Sequence, residues 1–360
     1  MKHFYFFILI LFTCCNIFAQ TNNELIKLAD DIHKKILTID THTDTPMLFS
    51  SDTSIDLGKL NSNTKVDFPK MQNGGLDAVF MAVYLPQGKR DEVNNYLAKN
   101  KALSILQLIK KQVEKYPEIA KVATTPDEVY RLKYQGKRAV LIGLENGYPI
   151  GDKLTNLRLF QELGVVYITL SHTKNNDICD SSNDIPEHNG LSSFGKDVIC
   201  EMNRLGMIID VSHTSDKTIR DVISYSKAPV IASHSCAKKL TNNRRNLSDD
   251  MIQLIAKNGG VVQVCMVSHF VKLPALGKAT VSDVVDHIDH IVKLAGINHV
   301  GVGSDFDGGA GVIGCKNVSE MKNITIELLR RGYKSEEIEK IWGGNFLRVM
   351  TDVQKLTIFT

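Results

Sequence analysis

The sequence predicts an α/β protein with the fold of a (β/α)8 TIM barrel. Eight short apolar runs recur along the 360 residues, and each is followed by a polar residue and then by a helical pattern. Runs this rich in Val and Ile are typical of strands covered on both faces, as in a parallel sheet wrapped by helices. Eight such units in one chain of this length are typical of a closed barrel. An open, doubly wound sheet is the alternative.

The predicted strands share a length of seven to ten residues, and the segments between them can hold a helix. They cover residues 36–42, 76–85, 139–146, 165–172, 206–213, 228–234, 259–266 and 299–306.

Helix boundaries are marked by capping residues between the strands. Thr125 and Glu128 have capping-box spacing, and Ser248 stands before two acidic residues, so both positions predict helix starts. Ser282 is predicted to open an amphipathic helix that ends at Gly296.

One long connection interrupts this regular alternation. Residues 173–192, TKNNDICDSSNDIPEHNGLS, form the longest polar, turn-rich segment between two predicted strands. A connection of that length in a compact barrel is more often a lid or a specificity loop than a linker.

The composition indicates a globular protein and argues against nucleic acid as a partner. Lys and Arg total 43 against 40 Asp and Glu, which gives a formal net charge of +3. No block of like charge and no interleaving of Arg with aromatic residues occurs. With 43% hydrophobic residues, the chain can bury a large core.

The amino-terminal residues resemble a secretory signal. Lys2 precedes an apolar stretch over residues 4–12, and small and polar residues follow as far as Ala19. We therefore expect a signal peptide over residues 1–20, cleaved near Ala19 or Gln20, and a single barrel domain over residues 21–360. The product would be secreted or periplasmic, without a transmembrane segment. The alternatives are an uncleaved anchor and lipidation at Cys14.

Five cysteines remain after residue 20, and their spacing matches no zinc-finger pattern. A chain of this size does not need a disulfide scaffold. We expect most of these cysteines to be buried free thiols.

Ionisable side chains stand selectively at the ends of the predicted strands. In a (β/α)8 barrel, the carboxyl ends of the strands form the face that carries the chemistry. Six of the eight strands end in such groups, which are His42 and Asp44, Glu145, His172, His213, His234, and Asp305.

The pair at the end of the first strand is half of a divalent-metal site. His42 and Asp44 are two residues apart, so in an extended strand end both side chains point to the same side. Three imidazoles that converge with Glu145 and Asp44 would be costly to bury without a compensating cation. These five side chains are more ligands than one metal ion with an open coordination position requires. Two metal ions bridged by Glu145 would use all of them. Zinc suits mixed imidazole and carboxylate ligands best, with manganese or cobalt as substitutes.

Two other histidines have ligand-like spacing but belong to a predicted helix. His287 and His290 are three residues apart, in the sequence DHIDH. Because they alternate with apolar residues, we expect them on a solvated helix face.

An ordered set of motifs, distributed over most of the chain, resembles the membrane (renal) dipeptidase family, a branch of the metal-dependent amidohydrolase barrels. The motifs are DTHTD, IGLENG, LSH, GLSSFG, NRLGMIIDVSH, PVIASHS, NNRRNLSDDM, VGVGSDFDG and GGNFLRVM. The resemblance implies a TIM barrel of the metal-dependent hydrolase type with two Zn²⁺ per chain. One zinc would be held by His42, Asp44 and Glu145, and the other by Glu145, His213 and His234.

The same resemblance implies how a dipeptide would be bound and cleaved. A metal-bridging hydroxide would attack the scissile carbonyl, and His172 would donate to the developing oxyanion. Arg245 would clamp the substrate carboxylate. Asp305 would move the proton from the attacking water to the leaving amine, or would hold the substrate ammonium. Two of these roles could belong to a nearby residue instead. Arg244 is adjacent to Arg245, and Asp307 is two positions after Asp305.

We therefore expect a zinc dipeptidase that tolerates a D-residue at the carboxyl-terminal position of its substrate. The family resemblance also implies a homodimer, although no interface can be identified in the sequence. The alternatives are another binuclear amidohydrolase activity, on a lactam, an ester or an N-acyl amino acid, and a binding protein that keeps the fold without catalysis. Where the family commonly has a Trp after the first motif, this chain has Met47 and Phe49, so the side-chain pocket is expected to differ.

Overall fold

The computed structural model describes residues 21–358 and contains a parallel sheet of nine strands. The strands are β1 (Ile39–Thr43), β2 (Ala78–Tyr84), β3 (Ala120–Val122), β4 (Arg138–Glu145), β5 (Val165–Thr169), β6 (Ile208–Asp210), β7 (Ile231–Ala232), β8 (Val261–Val264) and β9 (Val300–Val302).

Eight of these strands form the predicted barrel. Their order is β1-β2-β4-β5-β6-β7-β8-β9, and every pairing is parallel. The ring closes just beyond β9, where the amide of Asp305 donates to the carbonyl of His42 at 2.9 Å and the amide of Asp44 donates to that of Phe306 at 2.8 Å. The (β/α)8 prediction is confirmed, and each of the eight predicted runs overlaps one strand of the barrel.

The ninth strand, β3, was not predicted. It pairs with Arg138–Val140 at the start of β4, whereas β5 pairs with Ile142–Glu145 at its end. Because β3 has only three residues, one of them exposed, it lacks the apolar run by which a buried strand is recognised.

Helices surround the sheet. They are α1 (Asn22–Lys35), α2 (Thr45–Ser51), α3 (Phe68–Gly74), α4 (Glu92–Glu114), α5 (Pro126–Tyr134), α6 (Thr155–Glu162), α7 (Ser193–Leu205), α8 (Asp216–Tyr225), α9 (Asp249–Lys257), α10 (Ser268–Val271), α11 (Val281–Ala295), α12 (Lys322–Arg330), α13 (Ser335–Glu339) and α14 (Asn345–Lys355). In residues 21–358, no helix combines the length and the apolar character needed to cross a membrane.

Two of the predicted helix starts are confirmed and one is shifted. Thr125 and Ser248 are the N-cap residues of α5 and α9. The N-cap of α11 is Thr280 rather than Ser282, because Thr280 and Asp283 exchange the two hydrogen bonds of a capping box. The predicted end at Gly296 is confirmed.

The prediction of a solvated face for both helix histidines was wrong for His287. Its side chain is fully buried, with Nδ1 accepting from the amide of Ala237 at 3.0 Å and Nε2 donating to the carbonyl of Val271 at 2.9 Å. These two bonds satisfy both ring nitrogens, which removes the cost of burying the imidazole. His290 is partly exposed and pairs with Asp249 at 2.8 Å.

The long connection over residues 173–192 folds around the carboxylate of Asp180. That carboxylate accepts hydrogen bonds from the amides of Glu187, His188 and Gly190, each at 2.9 Å. Arg90, in the connection after β2, binds both carboxylate oxygens of Glu187 at 2.8 and 2.9 Å. The loop therefore has its own scaffold and an attachment to a neighbouring loop, while its role as a lid or specificity loop stays a prediction.

The cysteines of residues 21–358 are free thiols, as predicted. Four are buried and Cys200 is exposed.

Candidate metal centre

The predicted metal ligands meet at the carboxyl ends of the barrel strands. His42 lies in β1 and Glu145 is the last residue of β4, while Asp44, His213 and His234 follow the ends of β1, β6 and β7. All five side chains are buried. In a closed barrel these strand ends face a common centre, which explains why residues separated by almost 200 positions lie in contact.

Glu145 is the centre of this arrangement. One of its carboxylate oxygens lies 3.5 Å from Nε2 of His42, and the other lies 3.0 Å from Nε2 of His213 and 3.5 Å from Nε2 of His234. A single carboxylate thus has imidazole nitrogens on both of its oxygens. This is the geometry expected of a carboxylate that bridges two cations.

Several donor atoms in the centre have no partner within the described part of the chain. Nε2 of His42 and Oδ1 of Asp44 are buried without a hydrogen bond, and they lie 3.7 Å apart. Nε2 of His213 and Nε2 of His234 lie 2.8 Å apart, where only one of the two neutral rings can carry the hydrogen and donate it to the other. Buried polar atoms are rarely left in this way, and a divalent cation would satisfy them. The residues therefore fit a metal site.

The donor atoms form three overlapping groups, and within each group all atoms lie within 4.8 Å of one another. The groups are His42 with Glu145 and His234, Glu145 with His172 and His213, and His42 with Asp44 and Asp305. His172 and Asp305 were predicted to act on substrate. Their donor atoms nevertheless lie close enough to those of the predicted ligands to share a metal ion with them.

Two hydroxyl groups, neither of them predicted from the sequence, fix the tautomers of two histidines. The hydroxyl of Tyr167 donates to the carbonyl of Thr41 at 3.1 Å, so it accepts the Nδ1 hydrogen of His42 at 2.8 Å. The Nε2 lone pair of His42 is thereby directed into the centre. Outer partners of this kind orient the imidazole ligands of metals. Tyr167 lies inside an apolar strand. The only signal in the sequence is that alternate residues of a strand face the same side, which could have placed its hydroxyl inside the barrel.

His234 is oriented in the same way through a serine. The hydroxyl of Ser233 donates to Oδ2 of Asp210 at 2.6 Å and accepts the Nδ1 hydrogen of His234 at 2.8 Å. Asp210 also accepts from the hydroxyl of Thr169 at 2.5 Å and from the amide of Ser212 at 3.0 Å. The carboxylate is anchored on several sides, so the tautomer of His234 with a free Nε2 is favoured.

The electrostatics of the centre suit cation binding. Burial lowers the pKa values of His213 and His234 well below the usual range of histidine, which keeps their lone pairs available at neutral pH. Burial opposes the ionisation of Glu145, but His42 and His172 outweigh it and hold its pKa well below the usual range. Burial likewise opposes protonation of His42, yet Tyr167 and Glu145 hold its pKa well above that of a free imidazole. A positive charge between His42 and Glu145 is therefore stabilised, and a metal ion can supply it.

Left-handed backbone conformations occur at the centre. His213 has φ 69° and Asp305 has φ 66°, and Asn146, directly after Glu145, has φ 75°. Such values are uncommon for residues other than glycine and recur at functional sites, where the surrounding structure maintains them.

The structure distinguishes the two aspartates of the last motif. Asp305 is buried, and burial together with Asp44 raises its pKa well above the usual range of a carboxyl group. The carboxylate of Asp307 is occupied elsewhere, because it accepts from the Thr45 hydroxyl and from the Lys65 amide, both at 2.7 Å. Asp305 is thus the aspartate that belongs to the centre.

The two adjacent arginines differ as clearly. Arg244 is exposed, whereas Arg245 is buried, with Nη2 donating to the carbonyl of His234 at 3.1 Å. The guanidinium of Arg245 lies 5.5 Å from the ring centre of Phe270, and its Nε has no partner among the described residues. Arg245 therefore retains donors beside the metal centre.

His172 lies between the centre and the outer rim of the barrel. Its ring centre is 4.1 Å from that of His213 and 4.6 Å from that of Tyr84. Burial lowers the pKa of His172, so the ring is neutral at neutral pH. When Nδ1 accepts from the hydroxyl of Thr173, 2.7 Å away, Nε2 carries the hydrogen and can act as a donor.

Comparison with known proteins shows the family to which the chain belongs. The profile of the membrane dipeptidase family, peptidase family M19, matches residues 26–358. The chain is 38% identical to the dipeptidase tcpJ of Claviceps purpurea over 80% of this chain and 69% of that protein. It is 32% identical to the dipeptidase ataJ of Aspergillus terreus over 93% of this chain and 89% of that protein.

A solved structure gives the same result. The probable dipeptidase PvdM of Pseudomonas aeruginosa superposes with a TM-score of 0.85 at 30% sequence identity, covering 93% of this chain and 99% of that one. The chain therefore belongs to the membrane dipeptidase family, peptidase family M19, and is a metallo-dipeptidase, a hydrolase that acts on peptide bonds.

Proposed function

We propose that this protein is a zinc-dependent dipeptidase that holds two Zn²⁺ per chain and accepts dipeptides with a D-residue at the carboxyl-terminal position. The observation that carries the metal assignment is the environment of Glu145, whose two oxygens lie within 3.5 Å of the imidazole nitrogens of His42, His213 and His234. A mixed set of imidazole and carboxylate donors favours zinc. The tolerance for a D-residue follows from the resemblance of the motifs to the family.

The ligands divide into two sets that share Glu145. His42 and Asp44 would hold one ion together with one Glu145 oxygen, and His213 and His234 would hold the other with the second oxygen. When bound, a pair of zinc ions supplies a nucleophilic water of lowered pKa and a Lewis acid for the scissile carbonyl.

The remaining polar groups would bind the dipeptide around this centre. Arg245 offers unpaired guanidinium donors to the substrate carboxylate, for which a planar fork is well shaped. His172 would donate from Nε2 to the carbonyl oxygen as negative charge develops there. Asp305 would carry the proton from the attacking water to the leaving amine, or would hold the substrate ammonium.

The decisive experiment combines metal content with stereochemistry. The purified protein would be stripped of metal with a chelator, reloaded with zinc, manganese or cobalt, and assayed for amine release from matched L-X–D-Ala and L-X–L-Ala dipeptides. We expect turnover to vanish on stripping, to return with zinc at two ions per chain, and to include the D-Ala series.

Each part of the proposal can fail separately. Full activity at one zinc per chain would contradict the binuclear site, and turnover of only the L-Ala series would contradict the stereochemical assignment. If no dipeptide were cleaved by the protein with two zincs bound, while a lactam, an ester or an N-acyl amino acid were, the substrate assignment would be wrong.

We propose in addition that the protein is exported and forms a homodimer. Export follows from the signal-like residues 1–20, which lie outside the described residues, and dimerisation follows from the family resemblance. Mass spectrometry of the secreted or periplasmic protein should find a mature amino terminus near Gln20. An intact Met1 or a lipid on Cys14 would contradict this, and a mass of one chain by light scattering would contradict the dimer.

A further inference from the structure

Tyr84 stands at the mouth of the barrel beside the metal centre. It is the last residue of β2, and it is half-buried, whereas the other six residues of that strand are fully buried. Tyr84 pairs in register with Glu145 in the parallel ladder between β2 and β4. Register partners in a parallel sheet project to the same face, so the phenol follows the Glu145 carboxylate toward the barrel axis.

The contacts of Tyr84 extend a row of rings that begins at a predicted ligand. The ring centre of Tyr84 is 4.6 Å from that of His172, and His172 is 4.1 Å from His213. Tyr84 therefore contacts His172, which in turn contacts the predicted ligand His213.

The hydroxyl of Tyr84 differs from those of the comparable tyrosines. Four other tyrosines in the described part of the chain are buried or half-buried, and each donates a hydrogen bond to the protein: Tyr116 to Asp56, Tyr148 to Lys89, Tyr167 to Thr41 and Tyr333 to Asp289. Within residues 21–358, the Tyr84 hydroxyl has no such partner. A donor without a partner at the rim of a polar site is available to a ligand.

We propose that Tyr84 is a substrate-binding residue whose hydroxyl, beside His172, donates a hydrogen bond to the carbonyl oxygen of the peptide bond that is cleaved. This inference rests on the proposed dipeptidase function and adds to it a second donor for that oxygen. In the oxyanion that develops, this oxygen has three lone pairs, so it could accept from both groups and still leave one lone pair for a Lewis acid. The bond strengthens as negative charge develops on the oxygen, so Tyr84 would contribute more to the transition state than to substrate binding.

The chemistry of a dipeptide supports this choice of acceptor. Its ammonium and its amide hydrogen are donors, so they cannot receive the phenolic hydrogen. Its carboxylate is matched to the planar guanidinium of Arg245. The ordinary pKa of a tyrosine phenol is about 10, so Tyr84 is protonated at neutral pH and can donate. The scissile carbonyl is the acceptor that remains.

The test is Tyr84→Phe in the zinc-loaded full-length enzyme, because this change removes the hydroxyl and keeps the ring against His172. We expect kcat for an L-X–D-Ala dipeptide to fall about 10- to 100-fold while KM changes less than threefold. The zinc content should stay that of the wild type. A phosphinate analogue of the dipeptide, with a tetrahedral phosphorus in place of the carbonyl carbon, should lose affinity by the same factor as kcat/KM. Tyr134→Phe, at a position that is 95% exposed, is the matched control.

Three outcomes would overturn the inference. A Tyr84→Phe enzyme with kcat within twofold of the wild type would show that the hydroxyl has no role, and a loss confined to KM would show that it binds another group. If Tyr84→Leu lost activity while Tyr84→Phe retained it, Tyr84 would act only by packing its ring. A wild-type enzyme that neither cleaves dipeptides nor binds the phosphinate would refute the proposed function as well. Failure of the proposed function is therefore seen in the wild type, whereas failure of the Tyr84 inference alone is seen only in the variants.

Discussion

Glu145 lies among imidazole nitrogens that approach both of its oxygens, and at the scale of single residues this is the contact on which the metal centre depends. Replacement of Glu145 by Ala should remove both zinc ions together and abolish dipeptide hydrolysis, because in the proposed binuclear site one carboxylate serves both ions. Metal content measured by plasma mass spectrometry, alongside activity, checks this expectation. Retention of two ions per chain would refute the bridging role.

The neighbouring arginines provide a matched pair of variants. Arg245→Ala should reduce kcat/KM for dipeptides by about 10- to 100-fold, because a charge-assisted bond to the substrate carboxylate is lost. The same variant should cleave the corresponding dipeptide amides as the wild type does, and its zinc content should not change. Arg244→Ala, at the exposed position, is expected to behave as the wild type in every assay. An equal loss on acids and amides would contradict the carboxylate clamp.

A Tyr167 variant tests whether the hydrogen bond that orients His42 contributes to zinc binding. Because its hydroxyl fixes the tautomer of His42, Tyr167→Phe should weaken zinc binding by about 10- to 100-fold. Competition with a fluorescent zinc chelator measures this without reference to catalysis. Tyr116→Phe, which removes a hydroxyl bonded to Asp56, is the control and should leave zinc affinity unchanged. An unchanged affinity in Tyr167→Phe would mean that the hydroxyl only fills space.

At the scale of elements, a buried histidine of α1 bonds this helix to α12 and to the end of α3. Nε2 of His33 accepts from the hydroxyl of Thr325 at 2.7 Å, which itself accepts from the indole of Trp342 at 2.7 Å, and Nδ1 of His33 lies 3.3 Å from the carbonyl of Gly75. Burial lowers the pKa of His33 to about 4, and the backbone bond to Gly75 only partly opposes this. The ring is thus neutral in the native protein.

This pKa makes stability depend on pH in a definite direction. Between about pH 6.5 and pH 4 the unfolded chain binds a proton at His33 and the native protein does not, so stability falls as the pH falls through this range. Protonation of His33 in the unfolded chain should lower the free energy of unfolding by about 3 kcal/mol over this pH range. In His33→Gln, this part of the pH dependence should disappear in denaturant titrations of the metal-free protein. His269→Gln, at an exposed position, should leave it intact. If both variants followed the wild-type curve, His33 would not be the group responsible.

The elements also show where patterns in the sequence are sufficient. Apolar runs located all eight barrel strands, because a strand covered on both faces must be apolar along its length. The start of α11 was misplaced by two residues, since Ser282 and Thr280 are both N-cap residue types and the choice depends on which one can exchange bonds with Asp283. His287 was misassigned because helical periodicity does not show that another segment supplies partners for a buried ring.

At the scale of the whole molecule, the metal centre connects distant parts of the barrel. Its predicted ligands lie in or shortly after β1, β4, β6 and β7, so bound ions would link strands from around the ring. Removal of metal leaves buried carboxylates and imidazoles without compensation. We expect chelation to lower the Tm by several degrees and zinc to restore it, since a ligand that binds only the native state adds about 4 kcal/mol at a thousandfold excess over its Kd.

The fluorescence of Trp342, the one tryptophan of the sequence, can follow this transition because the side chain is buried. Glu145→Ala is the control whose Tm should not respond to zinc. A wild-type Tm that is independent of chelator and zinc would show that the centre holds no metal under these conditions.

By itself, the sequence determined the fold class, the family and the residues that gather at the carboxyl ends of the strands. It could do so because a buried strand is a run of apolar residues, and its end is recognised by the polar residue that follows. Tertiary structure alone decided which of two adjacent arginines is buried, which of two nearby aspartates is free to act, and that Tyr167 and Ser233 orient histidines. It also placed an unpaired phenol beside Glu145 and His172. These facts depend on distances between segments far apart in the chain, and only closure of the barrel brings those segments together.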